Sequence, residues 1–118
     1  MSPLARKVYR QLRKRLLAGK ASITYRELAS VTGDHHPRSP ALHAALGEVA
    51  NACRHSGLPV LAAIVWRSGS NRPSTGYYKV AHPRAHTDEA RFAAWQREHA
   101  RVLGEHANFP VEIEQKYV

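Results

Sequence analysis

The sequence predicts one small α+β domain, on three observations. Four segments carry apolar residues at helical spacing, and each begins at a residue suited to starting a helix. Two shorter apolar runs flank a polar stretch rich in Gly, Ser and Pro, as the strands of a hairpin do. The 118 residues suffice for one hydrophobic core and not for two.

The first helix is expected over 4–18. Leu4, Val8, Leu12 and Leu16 recur every four residues, Pro3 suits the first turn, and Gly19 stops the pattern. Ile23-Thr24-Tyr25 is a short β-branched and aromatic run. It leads into a second helix over 26–31, with Thr24 and Glu27 spaced as a capping box. Residues 32–40 form a loop broken by Pro37 and Pro40. Ser39 is the expected cap of a third helix that runs to about Ser56, with Leu42, Leu46, Val49 and Cys53 inside. The run 58–66 then reads as a buried strand, 67–76 as a turn and 77–81 as the returning strand. A last helix is expected over 87–107, capped by Thr87, with Phe92, Trp95, His99, Val102, Leu103 and His106 inward. An extended tail, 108–118, completes a single domain over 1–118 whose core is 4–81.

Three helices followed by a β-hairpin is the winged helix-turn-helix order, here with an added C-terminal helix. In that arrangement the third helix usually enters the major groove and the wing follows the backbone.

The charge balance points the same way. Eighteen Lys and Arg oppose nine Asp and Glu, for a formal net charge of +9. Such an excess suits a polyanion, duplex DNA first. Thirteen of the cations are Arg, whose planar fork fits phosphates and guanine edges. No stretch approaches eighteen apolar residues, so no membrane span is expected. One cysteine, Cys53, allows no internal disulfide, which fits a cytoplasmic location.

Ile23-Thr24-Tyr25-Arg26-Glu27-Leu28-Ala29 resembles the phrase that opens the DNA-binding domain of alkylguanine-DNA alkyltransferases and alkyltransferase-like proteins. Leu58-Pro59 followed by a strand is also similar, so the likeness covers about 22–80. It implies the fold and DNA binding. The Pro-Cys-His-Arg active site of those enzymes is missing: the corresponding stretch reads Leu58-Pro59-Val60-Leu61-Ala62-Ala63, and Cys53 lies earlier. Neither the alkyl-transfer chemistry nor the base pocket is carried over, and the chain is not expected to be an enzyme.

Three groups of residues are candidates for contacting nucleic acid. On the first helix, Arg6, Lys7, Arg10, Arg13, Lys14 and Arg15 form a face with no acid before Glu27. On the third helix, spacing places His43, Gly47, Asn51 and Arg54 outward; Asn51 can read adenine and Arg54 guanine, while Glu48 nearby would repel phosphate. In the expected wing, Arg67, Asn71 and Arg72 offer phosphate contacts. The eight histidines give no ligand spacing, so no metal or other cofactor is expected. Two further readings stay open. One is a protein-interaction module, such as an inhibitor or adaptor of a nuclease or defence complex. The other is a small basic nuclease using two of His43, His55, His82 and His86.

Overall fold

The computed structural model describes residues 1–33 and 35–113. Its elements in order are α1 (Pro3–Leu17), β1 (Ile23–Thr24), α2 (Tyr25–Val31), α3 (Pro40–His55), a 3-10 turn (Leu61–Ile64), β2 (Val65–Trp66), α4 (Thr75–Ala81) and α5 (Asp88–Gly104). The protein is α+β and mostly helical.

The helix starts follow local chemistry. Ser2 Oγ accepts from the Ala5 amide, Ser39 Oγ from that of Leu42 and Thr87 Oγ1 from that of Ala90. Thr24 and Glu27 complete the capping box at α2. α1 buries Ala5, Val8, Tyr9, Leu12 and Leu16 against α3, which contributes Leu42, Ala45, Val49 and Cys53 to the same core. At about 25 cal/mol per Å² of apolar area removed from water, this shared face is the main support of the fold.

The expected antiparallel hairpin is replaced by another arrangement. Residues 77–81 lie in α4, and four residues in the middle of the run at 58–66 form the fully buried 3-10 turn. Val65 and Trp66 form β2 and pair in parallel with Ile23 and Thr24. The physical reason is burial. Tyr77 and Tyr78 are adjacent and both buried, which a one-sided strand cannot arrange because its neighbours point to opposite faces. A helical turn sets them about 100° apart, on adjoining sectors of one face. The parallel pairing is possible because α2 and α3 supply the long crossover it requires. The stretch expected as a wing is instead a closed loop, tied by the Arg67 amide to the Arg72 carbonyl at 2.8 Å, with Gly69 and Asn71 in the left-handed region.

α5 clamps the 3-10 turn. Trp95 Nε1 donates to the Ala63 carbonyl at 2.9 Å, and Trp66 Nε1 shares that acceptor. Glu98 is buried where the expected inner face had none, accepting from the Val60 amide at 2.8 Å and from Arg101. His99 donates to the Ala21 carbonyl, while His106, expected inside, is exposed. The tail then returns to α1: Tyr9 Oη donates to the Pro110 carbonyl, Arg13 Nε to that of Phe109, and Phe109 and Ile113 are buried. No helix among the described residues is long and apolar enough to cross a membrane.

Candidate functional site

A cavity of about 330 Å³ lies between α3 and α4. Its floor is the line Ala44, Gly47 and Ala50 on α3, whose small side chains leave the space open. A Cβ at Gly47 would meet only Val80, at 3.9 Å. Tyr25 and His43 form one wall as a stacked pair, with ring centroids 5.1 Å apart and planes 12° apart. Ser74, Tyr77, Lys79 and Val80 close the other side.

The aromatic wall is held from behind. Tyr25 Oη donates to Ser74 Oγ at 2.9 Å and accepts from the Ser74 amide at 3.0 Å, tying the start of α2 to the start of α4. His43 Nε2 donates to the Pro37 carbonyl at 3.0 Å. Burial raises the Tyr25 phenol above its ordinary range, against the two Ser74 bonds and the charge of Arg67. Tyr25 thus stays a neutral phenol, an apolar face with one engaged hydroxyl. Deeper in, the Tyr77 hydroxyl meets His82 Nε2 at 2.8 Å, and burial lowers the His82 pKa, so this pair is neutral too. The cavity is an apolar, aromatic slot with cations at its rim: Lys79 lines it, and Arg67 acts on Tyr25 from the adjoining loop.

The expected contact residues are distributed unevenly around this slot. Arg67 and Asn71 are exposed on the closed loop. Arg72 is exposed as well, with its guanidinium 4.2 Å above the Phe92 ring on α5. On α3, His43 and Gly47 belong to the cavity, because α4 covers the face expected to point outward. Arg54 donates to the Val80 carbonyl at 2.7 Å, at the end of α4, and Asn51 is exposed. Glu48 takes the Ser2 amide and hydroxyl, so its charge is engaged at the start of α1.

The basic face of α1 is less free than its sequence implies. Arg6, Lys7 and Lys14 are exposed. Arg10 pairs with Glu112 at 2.7 Å, Arg13 holds the tail, and Arg15 bonds the Ser22 carbonyl and Glu27. Acids and carbonyls distant in sequence supply the compensation that the local run lacks.

Comparison with protein-family models, curated proteins and solved structures finds no match. The site must be read from its own geometry. Sequence reasoning missed Tyr25, Ser74 and Tyr77, which come from separate segments. The one signal that could have found the slot is Gly47, a helix-weakening residue with no local reason to stand mid-helix. Among the described residues there is no group of three His, Cys, Asp or Glu side chains able to hold a metal ion. Cys53 is buried, and burial pushes its thiol up to about 11, which makes it a poor nucleophile.

Proposed function

We propose that this chain binds duplex DNA in an accessory or regulatory role, and that the slot between α3 and α4 receives a base unstacked from the duplex. The reading is carried by the aromatic slot with a cationic rim. At about 330 Å³ it sits at the small end of ligand sites, suited to one planar ring system. The Tyr25–His43 stack offers one outer ring face, which suits any base, and such stacking is worth about 1–3 kcal/mol. Lys79 lines the slot and Arg67 is near enough to act on Tyr25, so both are available to flanking phosphates. The net charge of +9 and the resemblance to alkyltransferase-like DNA-binding domains support the DNA-binding part of this reading. Without a reactive cysteine among the slot residues, the role is binding and not alkyl transfer.

The test is fluorescence anisotropy on duplexes with and without a mismatched base, over a salt series. With about four to six phosphates neutralised, log K should fall against log salt with a slope near −4 to −5. The mismatched duplex should bind more tightly, because unstacking its base costs less. Gly47→Leu should abolish that preference and leave the slope unchanged. Arg67→Ala with Arg72→Ala should weaken both duplexes alike and lower the slope. Absence of duplex binding at 50 mM salt refutes the reading and leaves the protein-partner reading in its place.

A further inference from the structure

We infer that residues 35–38, with Arg26 and Ser30 of α2, form a second site, a cleft that binds a phosphate group. The inference deepens the nucleic-acid reading above and rests on it where the phosphate belongs to a duplex. The cleft has a volume of about 540 Å³ and is lined by Arg26, Ser30, His35, His36, Pro37 and Arg38. Its lining residues include two arginines, two histidines and a serine. Arg26 and Arg38 are exposed, and the carboxylate pairs described above go to other arginines. Planar guanidiniums are the side chains best matched to phosphate oxygens.

The cleft is built and not merely basic. The His35 amide bonds the Ala29 carbonyl at 3.1 Å, and the Ser39 amide bonds that of His36 at 2.9 Å. His36 Nδ1 accepts from the Arg38 amide at 3.0 Å, which leaves Nε2 as its donor toward a ligand. These bonds set the loop backbone and the His36 ring before any ligand arrives, so less ordering of those parts is needed on binding.

Its position gives it a use. Pro37 lines the cleft and His43 lines the aromatic slot, and one hydrogen bond of 3.0 Å joins them. Arg26 lines the cleft and Tyr25, the preceding residue, lines the slot. The cleft and the slot thus share a wall, formed by Tyr25–Arg26 and by the Pro37–His43 link, so adjoining parts of one nucleotide chain can occupy both. The cleft adds cations beside the slot, whereas half of the α1 cations are engaged with the tail, the Ser22 carbonyl and α2.

Two arms separate the source of the phosphate. In the first, Arg26→Ala with Arg38→Ala is compared with the unchanged chain on the matched and mismatched duplexes. The expected result is affinity weaker by about one to two orders of magnitude at 50 mM salt, a slope reduced by about two, and an unchanged ratio between the duplexes. Both side chains are exposed, so the fold should survive; Arg38→Gln, with a melting curve, checks that loss of charge and not unfolding is read. If the unchanged chain binds duplex and the double variant matches its affinity and slope, the cleft proposal fails while the proposed function stands. In the second arm, pyrophosphate is titrated while the amide resonances of Ser30, His36 and Arg38 are followed. Saturable shifts that vanish in the double variant support the cleft even if duplex binding fails, and then assign it to a free phosphate compound. Absence of both duplex binding and pyrophosphate shifts overturns it.

Discussion

Gly47→Ala separates the stability of the protein from its proposed use. Gly47 sits inside α3 with an ordinary helical backbone, so no left-handed conformation demands glycine there. An added Cβ would lie 3.9 Å from Val80 Cγ2, ordinary van der Waals contact. Alanine is therefore free to recover the helix cost of glycine, about 0.5–1 kcal/mol. For a domain of this size that corresponds to a rise of about 2–5 °C in Tm. The methyl would enter the slot, so preference for a mismatched duplex should weaken even as the protein becomes more stable. Thermal unfolding by circular dichroism and anisotropy on the same preparation measure both. A lower Tm would refute the reasoning, because it would mean that the space above Gly47 is filled. A higher Tm with unchanged mismatch preference would retain the packing argument and remove the slot from recognition.

Glu98→Ala should strand the Val60 amide, at about 1–3 kcal/mol, and Glu98→Gln should cost less because its carbonyl can still accept; urea unfolding distinguishes them. Cys53 should react slowly with a thiol reagent at pH 8 in the native protein and fully in denaturant. Its raised thiol pKa also contributes to alkaline instability: the unfolded thiol ionises near its ordinary value, the folded one near 11, so stability should fall as pH rises between them. Cys53→Ala should flatten that part of the stability–pH curve. Glu112→Ala should release Arg10, steepening the salt dependence of duplex binding by about one unit. The exposed pair adds little to the fold, so its Tm should not move.

The elements legible in the sequence are those whose ends are written locally. Thr24 with Glu27, Ser39 with Pro40, and Thr87 each place a helix start within a residue, because a cap involves only neighbours. The stretch 58–81 was misread because its pattern has no such mark. Val60 to Val65 is apolar throughout, and a fully buried run has the same appearance as strand, helix or 3-10 turn. Ser74 starts α4 without a side-chain cap, so that helix has no local signature. One error produced the other: with 77–81 taken as a strand, nothing stood against α3, and His43, Gly47 and Arg54 were assigned to an open face. The wing residues Arg67, Asn71 and Arg72 stayed exposed because a loop serves either topology. The free cations of α1 were overcounted for a related reason, since Glu112 lies 102 residues from Arg10 and no local rule connects them.

That separation has a consequence for how the molecule is made. The contacts of Tyr9 and Arg10 with the tail span 101 and 102 residues. At about 5–20 residues per second of synthesis, α1 leaves the ribosome roughly 5–20 s before its last partners exist. During that interval its apolar stripe can pack on α3, but Tyr9 lacks its acceptor and Arg10 its acid. Until then the α1 region of the nascent chain is more strongly basic than it is after the 109–113 segment docks. Docking of Phe109 and Ile113 is a late folding event, and a chain stopped short of it would carry exposed cations and an incomplete core. Such an intermediate is prone to cling to the ribosomal RNA beside it.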